Sequence, residues 1–344
     1  MLDALRFNRH TFWCGQSGSG KTFALGVVLE QLLAHTDLPM VIFDPNADFV
    51  RLNETRADAP ADQAALLADR DIRVLRPHGE GADALRVRFG DLSLHAKAAL
   101  LRIDPLADRA EYNSLLHLEE SFTLRDQADV LGLLNASSDP IHHELAQRID
   151  NLQVLRWGIW AGQLTPVPEV VAQRPNATVL DLGGFEHAEA ALVIALAVLD
   201  DLWDRREERR PVLLVIDEAH NLCSPDLESP LARAVRDQII RIAAEGRKYG
   251  LWLLLSTQRP SKVHPGILSQ CDNLGLMKMS SPLDLKELGS LFGYAPSDLL
   301  AQAPTFRQGQ ALFAGGFVET AIVAQVGQRL TPEGGLDVTI PLRA

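Results

Sequence analysis

Short runs that are apolar at nearly every position recur along the chain, separated by stretches with helical spacing. Five read as strands: 11–14, 39–44, 178–182, 212–217 and 251–256. Continuous rather than alternating apolarity is the pattern of parallel strands covered on both faces. Residues 22–34, 186–206 and 230–249 read as helices. In the last of these, Leu231, Val235, Ile239 and Ile242 return to one face at helical spacing. Alternation of this kind predicts an α/β fold with right-handed crossovers.

Two shorter strands are expected at 72–75 and 85–89. The stretch 91–168 breaks the alternation, with helical material at 95–101, 110–120 and 144–160 and no strand pattern. The chain therefore divides into a first part of an α/β core (1–90), a helical insertion (91–168) and the second part of the core (169–344), ending in a β-structured tail. An Ala/Asp-rich patch at 57–71 reads as a loop or short surface helix.

Composition narrows this only slightly. The 344 residues are 47% hydrophobic and 23% charged, enough for a sizeable core and against wholesale disorder. The net charge is −12, which excludes a generally basic nucleic-acid-coating protein but not a local basic channel. Cys14, Cys223 and Cys271 lie far apart, form no CxxC pair and give no disulfide or zinc framework, which fits a reducing, cytoplasmic setting. The longest apolar run, 190–199, is about half what a spanning helix needs, so no membrane segment is expected.

The chemistry sits at strand ends. Gly15-Gln16-Ser17-Gly18-Ser19-Gly20-Lys21-Thr22 matches GxxxxGK[ST] between a strand and a helix. Its glycines let successive N–H groups turn toward phosphate oxygens, and the helix N-terminus adds its dipole. Lys21 would reach the β- and γ-phosphates of ATP, and the Thr22 hydroxyl would ligand Mg²⁺. The strand 212–216 runs into Asp217 and Glu218, where the first carboxylate suits Mg²⁺ and the second suits general-base activation of water. Asp217-Glu218-Ala219-His220 also spells the DEAH box of one helicase class. The other segments of that class are missing, so the match is treated as a partial coincidence. Gln258, after the strand 251–256, is the candidate γ-phosphate sensor.

Taken in order, GxxGSGKT, an apolar strand plus Asp-Pro, VIDEAHN, EGRKYG, STQRPSKV and LSQCDN resemble the HerA–FtsK superfamily of RecA-type ATPases, on the HerA side, over about 1–90 and 170–325. The resemblance implies a RecA-like P-loop NTPase core with a mainly parallel sheet. Asp44, in Asp44-Pro45-Asn46-Ala47-Asp48-Phe49, matches the family's Asp-Pro-His-Gly-Glu-Tyr and becomes a candidate nucleotide-site residue. Family members form rings, usually hexamers, on double-stranded DNA, and a neighbour's cation completes each site. Arg247 matches that position, and Arg307 is the second candidate. HerA-type proteins carry an N-terminal β-barrel ahead of the motor. Here the phosphate loop starts at residue 15, so the expectation is a motor without that barrel. A hexamer would carry 6 × −12 = −72, so a DNA channel must be locally basic. Arg233, Arg236, Arg241, Lys262 and His264 are its candidate contacts.

The resemblance implies an ATP-driven double-stranded DNA translocase working with a nuclease or other effector, in DNA end processing or anti-phage defence. Two alternatives stay open. One is an ATP-dependent scaffold that assembles and activates a partner enzyme without pumping DNA. The other is a phage or conjugative DNA-packaging motor. His142-His143 has no matching ligand and reads as surface. Trp157 and Trp160, three apart, read as core of the insert.

Overall fold

A computed structural model describes residues 2–121 and 127–335. Among these, nine strands form one sheet. They are β1 (His10–Cys14), β2 (Met40–Asp44), β3 (Ile72–Leu75), β4 (Ala177–Asp181), β5 (Val212–Ile216), β6 (Leu251–Thr257), β7 (Cys271–Met277), β8 (Gln310–Gly315) and β9 (Ile322–Gln325). Their order across the sheet is β3-β4-β2-β5-β6-β1-β7-β8-β9. The first seven in that order run parallel, and β8 and β9 close the far edge as an antiparallel hairpin.

The continuous apolarity of the central strands has the expected cause. Phe12, Cys14, Val41, Phe43, Leu214 and Ile216 point to one face and pack in one core cluster; Trp13, Met40, Ile42, Leu213 and Val215 point to the other and pack in a second. Fully burying such a side chain stabilises the fold by about 1.5–3 kcal/mol, so both faces need a cover. On the second face α1 (Lys21–His35) supplies Leu25, Leu29, Leu32 and Leu33, with α2 (Ala61–Ala68) beside it. The first face takes the larger layer. It comprises α3 (Leu94–Leu100), α4 (Arg109–Ser121), α5 (Gln127–Ala136), α6 (Pro140–Leu152), α7 (Val167–Ala172), α8 (Ala188–Asp204), the short α9 (His220–Cys223) and α10 (Pro230–Glu245). In this layer α8 and α10 pack on each other and α3 on α10. Trp157 and Trp160 are buried here, the latter edge-on to Phe89 with its Nε1 donating to the Val154 carbonyl.

Three sequence expectations need correction. Residues 85–89 do not form a strand: Val87 alone bridges, to Trp160, while Leu85, Val87 and Phe89 sink into the helical layer. The helix expected at 144–160 instead runs from Pro140 and ends at Leu152, because Gln153 adopts φ 55° and a 3₁₀ turn follows. The helix expected to reach residue 249 stops at Glu245 and tightens into a 3₁₀ turn, Gly246–Tyr249.

The strand β7 was not anticipated, since Asp272, Asn273 and Gly275 interrupt its apolar pattern. Tertiary contacts explain each buried exception. Asn273 donates to the Arg6 carbonyl and Thr11 Oγ1 and accepts from Phe317 N. Gly275 lies against the Trp13 indole, where a Cβ would come within 2.4 Å of the ring.

Candidate nucleotide-binding site

Parallel strands place their C-terminal ends along one edge, the usual ligand edge of such sheets. Here that edge collects the loop after β1, Asp44 at the end of β2, Asp217 and Glu218 after β5, and Ser256, Thr257 and Gln258 at the end of β6. Because β6 lies between β1 and β5, its last residues stand between the phosphate loop and the acidic pair.

The loop from Gly15 to Gly20 is held at its base by Gly15 N–H to the Thr257 carbonyl (3.3 Å) and Gln16 N–H to the Lys278 carbonyl (2.9 Å). Gly18 and Gly20 have φ of 75° and 86°, a region that favours glycine, so residues 15–20 can wrap a compact anion. A Cβ on Gly15 would meet that of Met277 at 2.7 Å. Ser19 Oγ is buried without a partner. Beyond the loop opens a cleft of about 620 Å³, lined by Gln16, Lys21, Thr22, Asp48, Gln258 and, from the C-terminal segments, Gln308 and Gln325 among others.

Lys21 projects from the first turn of α1 into the acidic edge. Its Nζ donates to Asp217 Oδ1 (2.9 Å) and Ser256 Oγ (2.9 Å) and pairs with Glu218 Oε1 at 3.1 Å. Burial opposes the ammonium charge, but Asp217 and Glu218 outweigh it and hold the Lys21 pKa above its ordinary value. Glu218 is fully engaged. Its Oε1 also accepts from Gln258 Nε2 (3.0 Å), and its Oε2 lies 3.2 Å from His220 Nδ1. Burial alone would raise its pKa; the hydrogen bond from His220 and the charge and bonds of Lys21 and Gln258 reverse this and bring it to about 2. The residue sits at φ 43°, left-handed backbone that a non-glycine residue occupies only under local constraint.

Asp44, Asp48 and Asp217 each present an oxygen to a common point, all within 4.8 Å of one another. Asp44 accepts from Asp48 N (2.9 Å) and Phe49 N (2.7 Å), and Thr22 Oγ1 approaches Asp48 Oδ2 at 3.5 Å. Burial pushes Asp44 up to about 7 and Asp48 to about 6, with the neighbouring Asp217 charge adding to both. Asp217 Oδ2 is buried without a partner. Crowded carboxylates with an orphaned oxygen, next to a threonine hydroxyl, fit a divalent cation: hard oxygen donors suit Mg²⁺. Thr22 and Asp217, the ligands expected from the phosphate loop and the acidic strand end, are candidates to hold it. Asp48 was missed, although it stands four residues after Asp44 in the same segment.

Of the cations expected to act between subunits, Arg247 lies in the turn before β6, at the opposite edge of the sheet, paired with Asp272. The seven residues of β6 separate it from Gln258 by about 23 Å at ~3.3 Å per residue. It does not reach the site of its own chain. Arg307 immediately precedes Gln308 at the cleft rim, its backbone N–H on Gln310 Oε1.

The HerA helicase central-domain family model matches residues 1–148. A probable helicase of Methanocaldococcus jannaschii is 32% identical over 154 residues, which cover 43% of this chain and 29% of that protein. The DNA double-strand break repair helicase HerA of Sulfurisphaera tokodaii is 33% identical over 116 residues, 34% of this chain and 23% of that one. The aligned regions thus span less than a third of either relative's own length. Among solved structures, VirB4 of Thermoanaerobacter pseudethanolicus superposes with a TM-score of 0.60 at 16% identity, covering 93% of this chain and 89% of that chain. The family match over residues 1–148 and the HerA relatives support the resemblance to the HerA–FtsK superfamily of P-loop ATPases. Its mostly parallel sheet, with the phosphate loop leaving β1, is a RecA-like fold.

The remaining HerA-like candidates for DNA contact are tied to their own chain. Arg236 pairs with Asp237 and Lys262 with Asp226; Arg233 donates to the Glu228 carbonyl, and Arg241 stacks 4.5 Å over Trp203. His264 caps the helix that follows it by accepting from Gly266 N–H. No helix among the described residues is long and apolar enough to cross a membrane.

Proposed function

We propose that this chain is a Mg²⁺-dependent ATPase subunit of a cytoplasmic ring, most simply a hexamer, that translocates double-stranded DNA with a nuclease or other effector partner. The observation that carries the reading is the convergence of Lys21, Asp217, Glu218 and Gln258 at one strand edge beside a cleft large enough for a nucleotide. The residues 15–20 and the α1 N-terminus bind phosphate; Lys21 leaves its carboxylates for the β- and γ-phosphate oxygens. Thr22 and Asp217 hold the cation, which neutralises phosphate charge, with Asp44 and Asp48 behind them. Glu218, once Lys21 has moved, has an oxygen to take a proton from the attacking water. Gln258 stands between base and phosphate and registers the γ-phosphate. Arg247 acts in the neighbouring subunit's site, since it lies far from its own, and Arg307 is the alternative donor at the cleft rim. In this reading the helical stretch 91–168 is an insertion in an ATPase core made of 1–90 and 169–344.

A second reading has two observations in its favour. The net charge is −12, and Arg236 and Lys262 are already paired with acids. A ring that uses ATP to switch a partner enzyme would need no free basic channel. ATPase assays with and without linear double-stranded DNA, at low and moderate salt, separate the two. Stimulation that fades as salt rises supports the motor. Turnover indifferent to DNA but raised by a partner supports the scaffold and refutes the motor.

A further inference from the structure

His220 closes the string Asp217-Glu218-Ala219-His220, and its ring is part of the site. It opens α9 at the end of β5, and its Nδ1 lies 3.2 Å from Glu218 Oε2 and 3.0 Å from Thr257 Oγ1 on β6. The carboxylate can only accept, so Nδ1 carries the proton in this contact. Thr257 Oγ1 is itself fixed, accepting from Arg259 N–H at 3.0 Å. The imidazole therefore bridges the ends of two adjacent strands through the side chain of the base. It does so where Glu218 needs fixing most, since that residue occupies left-handed backbone at φ 43°. Glu218 Oε1 is held by Lys21 and Gln258, both groups that a bound triphosphate would draw away. The contact to His220 is on the other oxygen, Oε2, which Lys21 does not touch and which the Gln258 backbone N–H approaches at 3.4 Å.

We propose that His220 is a positioning residue that fixes the orientation of Glu218 during hydrolysis by anchoring it to Thr257. This rests on the ATP-hydrolysis reading above. A well-placed general base contributes about 10²–10⁴ in rate, and a base free to swing loses part of that factor without affecting nucleotide binding.

The test compares His220→Ala, His220→Asn and Thr257→Val in the full chain, with nucleotide affinity and melting temperature measured on the same samples. His220→Ala is expected to lower kcat about tenfold or more while KM stays within about twofold. Asparagine, whose amide N–H stands near the place of Nδ1, is expected to restore most of the loss. Thr257→Val, which removes the anchor from the β6 side, should show the same kcat-only defect. In a Glu218→Gln background, His220→Ala should cost nothing further, because the two act as one unit. A wild-type kcat in His220→Ala, an asparagine variant as poor as alanine, or a full additional loss in the Glu218→Gln background would overturn the positioning role. Full turnover by Glu218→Gln alone would instead show that the base assignment itself had failed.

Discussion

Glu30 lies in the middle of α1, fully buried, on the helix that carries Lys21. Its carboxylate accepts from Leu330 N (2.7 Å), Thr331 N (2.8 Å) and Thr331 Oγ1 (2.6 Å), and stands 3.7 Å from Arg329 Nε. The Arg329 side chain is completely shielded, lies 5.5 Å from the Phe49 ring centroid and donates to the Asp48 carbonyl at 3.3 Å. This buried knot pins residues 329–331 onto α1 and onto the loop that carries Asp48. Glu30→Ala would leave a buried guanidinium without its main partner and two backbone N–H groups without an acceptor. Breaking such pairs costs about 3–5 kcal/mol. The lower figure applies, because Glu333, partly exposed, still reaches Arg329 at 3.3 Å. With about 2.1 cal/mol/K of unfolding entropy per residue, a 344-residue chain changes by about 0.7 kcal/mol per degree. The expected drop in melting temperature is then only about 4 °C, so urea unfolding followed by tryptophan fluorescence is the better assay. Glu30→Leu combined with Arg329→Met removes both charges but still leaves the Leu330 and Thr331 N–H groups unpaired, so it should recover only part of the loss. A Glu30→Ala variant within about 1 kcal/mol of wild type would mean the pair behaves like a solvated surface bridge, and the reasoning would fail.

Three further outcomes follow from single contacts. His10 is buried, with Nε2 against the Ala243 carbonyl and Nδ1 accepting from Leu253 N; burial, then the Arg247 charge, lower its pKa to about 4. The unfolded chain binds this proton more readily than the folded one, so the contribution is complete above about pH 6.5 and is lost as pH falls toward 4. The difference amounts to about 3 kcal/mol at ~1.4 kcal/mol per pKa unit; urea midpoints across this window should flatten in His10→Gln, and an unchanged slope would contradict the assignment. Gly275→Ala should cost about 1–3 kcal/mol in the same assay, since the added methyl falls onto the Trp13 indole; a neutral substitution would show that β7 and β1 part more easily than their packing implies. Asp48→Asn should shrink the rise in melting temperature that Mg²⁺ produces in the nucleotide-free protein, and a full-sized shift in that variant would remove Asp48 from the cation site.

Much of this arrangement was legible in the chain because β2 and β5 carry no polar residue until they end. A run such as 212–216 followed by Asp217 and Glu218 states both the strand and the place where chemistry begins. The unread parts share a physical cause: long-range contacts that override local pattern. Asn273, the buried polar residue of β7, is satisfied by Arg6, Thr11 and Phe317, none near in sequence. Residues 85–89 look like a strand but find partners in the helical layer rather than in the sheet. Asp48 and His220 were on view as letters, but only the folded edge shows that one faces Thr22 and the other Glu218. Nothing local marks Glu30 as buried, because its partners come three hundred residues later in the chain. Arg247 shows the reverse: its motif position was clear, and the fold adds that its own site lies across the sheet.

The most direct test of the whole account is turnover and binding by Glu218→Gln on one preparation. The variant should bind ATP with Mg²⁺ about as tightly as wild type, because Lys21, Thr22 and Asp217 are untouched. Its hydrolysis should fall by about two orders of magnitude or more, the contribution expected of a placed general base. Hydrolysis at the wild-type rate, with binding intact, would contradict the assignment of this strand edge as the catalytic centre.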